Sequence, residues 1–224
     1  MPGPEPAARG RALDLVYRPA SGAVPALAGV DVEVEGGRFT VISGPSGSGK
    51  SSLLRVLAGL EQLQAGSVEL AGRDITRLRS RQRRWLRRRA LGFVLQDPAD
   101  NLVGHLRAVE QVELAARLRG VDASEAPALL DAVGLTDRRD ALPAELSGGE
   151  QQRVAFAAGA IGRPTLLLAD EPTAELDAES AAHLVSIMRG LVGLGTTLVV
   201  ASHDATVVAE ADRVIALRNG RVVP

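Results

Sequence analysis

The stretch Gly44-Pro45-Ser46-Gly47-Ser48-Gly49-Lys50-Ser51 constrains this chain more than any other. It satisfies the pattern G-x-x-x-x-G-K-[ST] at every fixed position. An apolar run, Phe39 to Ser43, precedes it, and a helix-like run, Ser51 to Leu60, follows. That is the strand, loop and helix setting the pattern requires. Glycines take backbone angles closed to residues with a Cβ, so successive N–H groups can curl around a phosphate. The helix that follows aims the positive end of its dipole at the same anion. In that frame Lys50 reaches the β- and γ-phosphates and the Ser51 hydroxyl binds Mg²⁺. The bland alternative, a glycine turn with a surface lysine, would require none of this matching.

At 224 residues the chain has room for one sizeable domain with a small inserted lobe. Its 26 basic and 27 acidic residues leave a net charge of −1, which argues against a nucleic-acid partner. The absence of cysteine excludes a disulfide framework and thiolate chemistry. Met1 to Arg11 is rich in proline and alanine, lacks a long apolar core, and reads as a flexible tail rather than a signal peptide. No run of 18 or more apolar residues occurs, so no membrane span of its own is expected. The expected compartment is the cytoplasm, with any membrane attachment made through a partner.

The rest of the chain alternates strand-like and helix-like stretches. Ala12 to Val16 reads as an edge strand ending at Tyr17, and Arg18 to Pro25 as a loop. Val30 to Glu35 alternates apolar and acidic residues, a half-buried strand. Val68 to Leu70 is a short strand. Arg77 to Arg89 holds eight arginines around Leu78, Trp85 and Leu86 and reads as an amphipathic helix with one very basic face. That face is either solvated or a contact for anionic lipid heads or an acidic partner loop. Leu91 to Leu95 is a strand ending at Gln96. Leu106 to Gly120 and Ser124 to Gly134, the latter capped by Ser124, read as helices, as does Gly148 to Gly162, capped by Ser147. Leu166 to Ala169 and Thr197 to Ala201 are continuous apolar runs, as strands buried on both faces should be. Ala178 to Leu194 and Ala205 to Glu210 are helical, and Arg213 to Leu217 pairs with Arg221 to Val223 around Asn219-Gly220. The expected fold is α/β, with a mainly parallel sheet core, antiparallel edge strands and an inserted helical lobe at about 97–162, all within one domain at 12–224.

Two further motifs carry chemistry. Leu166 to Glu171 is an apolar strand ending in two carboxylates. Adjacent strand residues point opposite ways, but where a strand ends the chain turns and both can face one site. Asp170 would then hold Mg²⁺ and Glu171 would orient and partly deprotonate an attacking water. Leu146-Ser147-Gly148-Gly149-Glu150-Gln151-Gln152-Arg153 opens a helix with a serine cap and two glycines. Ser147 and Glu150 also fit a capping box, yet each first-turn glycine weakens the helix by about 1 kcal/mol relative to alanine. Close approach to an anion would justify them. One loop of each type, distant in sequence, suggests two copies packed head to tail.

Gly44 to Ser51, Gln96, Leu146 to Gln151, Leu167 to Glu171, Glu175-Leu176-Asp177 and His203 occur in the order of an ABC-transporter nucleotide-binding domain, which this chain resembles from Leu13 to Val223. The P-loop ABC ATPase fold follows from that resemblance. Ile75 to Gln96, Leu146 to Arg153, Ala169 to Thr173 and Ala201 to Asp204 look most like the lipoprotein-release and macrolide-exporter ATPases (LolD/MacB type). The resemblance implies ATP and Mg²⁺ as cofactors, with Gly44, Ser46, Gly47, Ser48, Gly49, Lys50, Ser51 and Ser52 holding the phosphates. It implies Tyr17 stacked on adenine, and Gln96 sensing the γ-phosphate, touching Mg²⁺ or water, and linking the lobes. It implies His203 contacting the γ-phosphate and Glu171, and Asp177 in a loop crossing a dimer interface. Ser147, Gly149 and Gln151 would close on the ATP of the opposite subunit. The implied partners are a second copy and an integral membrane permease, with the chain on the inner face of the cell membrane and ATP hydrolysis driving export or mechanotransmission.

Ala158-Gly159 stands where relatives often carry Arg-Ala, so a lobe ion pair is expected to be missing. Glu175 stands where relatives have Asn or Gly, and Gln96-Asp97-Pro98 followed by Asp100-Asn101 is also similar to energy-coupling-factor importers. Two rival functions remain on the sequence alone. A soluble ABC protein acting on DNA or ribosomes would need a long coiled coil or a second cassette, for which the span between Lys50 and Ser147 has no room. A regulatory ABC ATPase that signals by ATP-dependent dimerisation would lack the base, the histidine or the signature serine.

Overall fold

A computed structural model describes residues 6–19 and 22–223. Residues 1–5, within the expected tail, and 20–21, within the expected loop, lie outside the described residues.

The chain builds two sheets. Strands β1 (Ala8–Tyr17), β2 (Val24–Val34), β4 (Ala65–Leu70) and β5 (Arg73–Asp74) form an antiparallel sheet in the order β2-β1-β4-β5. Strands β3 (Phe39–Ser43), β6 (Leu91–Val94), β7 (Leu166–Asp170), β8 (Leu198–Ala201), β9 (Arg213–Arg218) and β10 (Arg221–Val223) form the second, in the order β10-β9-β3-β8-β7-β6. Its four pairings from β9 to β6 run parallel, and only β10 is antiparallel. Among the described residues, seven α-helices connect and cover the sheets: α1 (Lys50–Leu57), α2 (Ser80–Ala90), α3 (Ala108–Arg119), α4 (Ala126–Ala132), α5 (Gly148–Ala160), α6 (Ala178–Gly193) and α7 (Ala205–Ala209).

The parallel strands divide the core in two, because alternate residues face opposite layers. Leu167 and Ala169 of β7 join Phe39, Val41 and Val200 in a cluster filled by Val154 and Phe156 of α5 and Leu184 and Met188 of α6. Leu166 and Leu168 join Ile42, Val199 and Leu53, Leu54 and Leu57 of α1, and the antiparallel sheet closes that side with Leu13, Leu15 and Val30. Between Gln96 and Gly162 there is no strand; α3, α4 and α5 form a helical lobe. Arg119 at the end of α3 fastens the lobe to the sheet. Its guanidinium donates to the carbonyls of Leu91, Gly159 and Ile161, and burial lowers its pKa to about 10. A cation on the last carbonyls of α5 is also favoured by the helix dipole. Hydrogen bonds from α3 thus hold the C-terminal end of α5, beside Ala158-Gly159, against β6.

Several local expectations are corrected. β1 starts at Ala8, so Ala8 to Arg11 is strand and not tail, and β1 pairs on both sides, with β2 and β4, and is not an edge strand. Its alternation is weak because Ala12 takes φ 46 where the register slips between Gly10 and Leu13. β2 begins at Val24, inside the expected loop. α2 begins at Ser80, not Arg77, because Arg77 pairs with Asp74 (3.1 Å), which also accepts from the Thr76 N–H (3.0 Å) in the turn after β5. Ser124 does not cap α4. Its hydroxyl donates to Asp122 (2.6 Å), and Glu125 takes the cap position.

Candidate functional site

The carboxyl ends of β3, β8, β7 and β6 lie side by side, which is where open α/β sheets bind ligands. β3 runs into the glycine loop, β8 into Ser202-His203, β7 into Glu171, and β6 into Leu95-Gln96. Ser202 N–H bonds to Ile42 O (3.1 Å) and Glu171 N–H to Ala201 O (2.8 Å), so these ends are cross-tied.

A cavity of about 510 Å³ opens above them. Pro45, Ser46, Gly47, Gly49, Lys50, Ser51 and Ser52 line it, with Gln96, Glu171, Ala174 and His203 opposite and Tyr17, Val24, Pro25 and Ala26 at one end. That volume suits a small organic ligand. α1 opens on Gly49, whose φ of 104 belongs to the left-handed region, with no side chain capping the first turn. A Cβ at Gly49 would lie 2.5 Å from Ala26 O, so glycine is required there by space as well as by φ. The first N–H groups of α1 are left for an anion.

Lys50 is 6% exposed, and its Nζ donates to Gly44 O (2.8 Å) and Pro45 O (3.2 Å) and pairs with Glu171 (3.1 Å). Glu171 also faces His203 Nδ1 at 3.0 Å, so one carboxylate sits between lysine and imidazole. It takes φ 43, a region that costs a residue with a Cβ about 1–2 kcal/mol. That twist breaks strand alternation and turns both adjacent carboxylates toward the loop: Glu171 to Lys50 and Asp170 to Ser51, whose hydroxyl donates at 2.8 Å. Burial raises the Asp170 pKa, a rise that the Ser51 hydrogen bond only partly offsets. A buried carboxylate beside a hydroxyl is a pair of hard oxygen donors that suits Mg²⁺ completed by phosphate oxygens and water. Among the described residues no cluster of three or more His, Cys, Asp or Glu offers an alternative metal site. Tyr17, half-buried at the cavity's end, is steadied by its hydroxyl, which donates to Glu61 (3.0 Å).

Other expected site residues lie apart from this cavity. Gly44 and Ser48 belong to the loop but do not line the cavity; Ser48 is buried, and its Oγ has no hydrogen-bond partner among the described residues. Ser147 caps α5, accepting from Glu150 N–H (3.2 Å) while Glu150 accepts from Ser147 N–H (2.8 Å). Gln151 donates to Pro143 O (2.9 Å) and Leu146 O (3.2 Å), bracing its own turn. Asp177 caps α6: it accepts from the N–H and hydroxyl of Ser180 and the N–H of Glu179, and these bonds, led by the Ser180 N–H, hold its pKa down. Gly149 is buried against that same cap, where a Cβ would lie 3.2 Å from Ser180. Gly148, not among the expected site residues, differs. It is exposed, and a Cβ on it would meet nothing within 4 Å. No packing inside the chain calls for glycine there, and Gly-Gly in the sequence could not say which glycine was free.

Residues 27–174 match the family model described as ABC transporter. The macrolide export ATP-binding/permease protein MacB of Nitrosomonas europaea is 40% identical over 204 residues, 89% of this chain and 31% of that protein, so the chain spans about a third of that relative's length. The lipoprotein-releasing system ATP-binding protein LolD of Shewanella sp. is 42% identical over 196 residues, covering 85% of this chain and 84% of that protein. Among solved structures, the dimeric post-hydrolysis state of the ATP-binding cassette MJ0796 bound to ADP and Pi superposes with a TM-score of 0.87 at 31% identity over 97% of each chain.

Proposed function

This chain belongs to the ABC transporter family as an ATP-binding ATPase of the exporter and lipoprotein-release type, and we propose that two copies clamp two MgATP between them to drive an integral membrane permease. The α1 N-terminus and Lys50 take the phosphates, Tyr17 stacks on the adenine, and Ser51 and Asp170 hold Mg²⁺, which would neutralise charge on the phosphate oxygens. Lys50 exchanges its contacts with Glu171, Gly44 and Pro45 for phosphate oxygens. Glu171, released from the lysine and still held by His203, is then free to accept a proton from the attacking water, while Gln96 lies at the cavity wall to orient that water. The first turn of α5 from the second copy supplies Ser147 and its neighbouring N–H groups to the γ-phosphate, and Asp177 lies along the same interface.

The observation that carries this reading is the contrast between the two glycine turns. Lys50, Ser51, Gln96, Glu171 and His203 line one cavity, while the exposed Gly148 turn belongs to the helical lobe and lines no part of it. The dimeric state of MJ0796 supports the same arrangement. No helix among the described residues is long and apolar enough to cross a membrane. Attachment at the inner face of the cell membrane through the permease is part of the same proposal. The names of MacB and LolD favour export or mechanotransmission as the outcome.

Glu171→Gln tests the assignment. The variant is expected to bind ATP as the parent does, to lose hydrolysis by about 10²–10³-fold, and to run as a dimer on gel filtration with MgATP. Hydrolysis at the parent rate would remove Glu171 as the base, and a variant that stays monomeric would remove the clamp.

A further inference from the structure

Gln152 has no exposed surface. It sits on the second turn of α5, and its amide reaches out of the helical lobe. Its Nε2 donates toward Gln96 O (3.1 Å), Leu95 O (3.3 Å) and Pro172 O (3.3 Å). The first two belong to the loop that presents Gln96, and the third follows Glu171 directly. Its Oε1 accepts from Asn101 Nδ2 (3.2 Å). Asn101 in turn closes the loop, accepting from Leu95 N–H (2.7 Å) and donating to Leu95 O and Asp97 O (both 3.0 Å). One buried amide therefore joins three parts of the molecule: the helix that begins at Ser147, the loop bearing Gln96, and the turn bearing Glu171.

A simple space-filling role would not need this chemistry. Apolar residues fill the neighbouring inward positions of α5, Val154, Ala155 and Phe156. An amide has two N–H groups, and here three carbonyl oxygens compete for them. Such a shared set of bonds can be redistributed when α5 shifts relative to the sheet, at little cost in any one arrangement. We propose that Gln152 is a positioning residue that transmits the seating of the α5 N-terminus to Gln96 and Glu171, so that the base and the water-orienting side chain align only when the Ser147 turn is engaged. This rests on the composite, two-copy site proposed above.

The test compares Gln152→Met, Gln152→Glu and Asn101→Ala with the parent in steady-state ATP hydrolysis, with thermal melts as a control for folding. Met matches the length of Gln and makes none of its hydrogen bonds, and it is expected to lower kcat about 10-fold with KM for ATP within about 2-fold of the parent. Gln152→Glu sets a carboxylate against three carbonyl oxygens, so it should be as slow as Met at pH 8. It should recover as pH falls and the buried acid, once protonated, donates again. Asn101→Ala, at a half-buried loop position, is expected to lower kcat about 3-fold in the same sense. Parent kcat in the Met and Asn101 variants with only the melting temperature lowered, or no acid-side recovery relative to the parent profile in the Glu variant, would overturn the proposal. Failure of the composite-site reading has a separate signature. The parent's specific activity would then be independent of enzyme concentration, whereas failure of the Gln152 role alone leaves its concentration dependence intact.

Discussion

Two helices of this chain start on glycines, α1 at Gly49 and α5 after Ser147, and their first turns are finished in opposite ways. The α1 turn has no side-chain cap and opens onto a cavity with Lys50, Glu171 and Ser51 already bonded to one another or to their neighbours. The α5 turn is capped in both directions by Ser147 and Glu150, with Glu150 also held by Arg138 at 3.2 Å, and it begins with a bare Gly148. Folding of one chain therefore assembles the groups around the α1 turn. It makes the second turn rigid and presentable but gives it nothing to grip. A capped turn still has N–H groups at its first two positions, so it is preorganised for an anion supplied from outside. On the proposed two-copy site, this contrast is what would make catalysis conditional on association.

The difference would break most sharply under Lys50→Ala and Gly148→Asp. Lys50→Ala should lose ATP binding and the ATP-driven dimer together. Gly148→Asp is compatible with the helix, since an acid is favoured in a first turn and space around it is open. It should leave ATP affinity of the single chain within about 2-fold, yet cut hydrolysis about 10²-fold and abolish the trapped dimer when combined with Glu171→Gln. These are read by titration with a fluorescent ATP analogue, by steady-state rate and by gel filtration. Equal loss of ATP affinity in both variants would mean that the α5 turn belongs to the single-chain site and that the contrast is false.

How much of this contrast the sequence carries depends on how local the cause is. The phosphate loop is legible because β3, the turn and α1 are contiguous, and their chemistry follows from the residues in line. The paired carboxylates are legible too, although the twist at Glu171 that turns both toward the loop is visible only in the backbone. The interior place of β1 is not legible. A strand with one buried face reads alike at the edge and in the middle, and the Ala12 bulge blurs even that pattern. Gln152 is lost in a polar run, Glu150-Gln151-Gln152-Arg153, whose members face different ways. Arg119 reads as one more arginine at a helix end, because the carbonyls it meets lie far along the chain.

At the Tyr17 end of the cavity the expected effect is smaller. Tyr17→Ala should raise KM for ATP about 10-fold with kcat little changed, since a stacked base is worth about 1–3 kcal/mol. Tyr17→Phe keeps the ring and loses only the bond to Glu61, so its KM should stay within about 2-fold of the parent. This pair sharpens the comparison because both outcomes belong to the single-chain site: neither variant should alter dimer formation at saturating ATP. An unchanged KM in Tyr17→Ala would take Tyr17 out of the site.

The smallest expected effect separates the two regions by acid. Burial raises the pKa of Asp170, so the folded chain holds this proton more tightly than the unfolded chain does. The ionised carboxylate therefore weakens the fold above the raised pKa, and that penalty fades as pH falls through it toward the ordinary carboxylate range. Asp177, at the cap of α6 beneath Gly149, has the opposite sign. Hydrogen bonds, first from the Ser180 N–H, depress its pKa, and its stabilisation is lost as pH falls through that depressed value. Asp170→Asn keeps an acceptor for the Ser51 hydroxyl and removes the buried charge, so without ATP its melting temperature at pH 7.5 should exceed the parent's by about 2 °C. The gap should close as the buffer is made more acid. Asp177→Asn, which keeps a capping oxygen but gives up the charge, should melt slightly below the parent at pH 7.5 and draw level on acidification. Melting curves from pH 7.5 to 4.5 check Asp170→Asn, and the same curves carried on to pH 3, below the ordinary carboxylate range, check Asp177→Asn. A lower melting temperature for Asp170→Asn at pH 7.5 would mean that the carboxylate is stabilised by its surroundings and needs no Mg²⁺. The pocket would then be as fully satisfied within the single chain as the capped turn of α5.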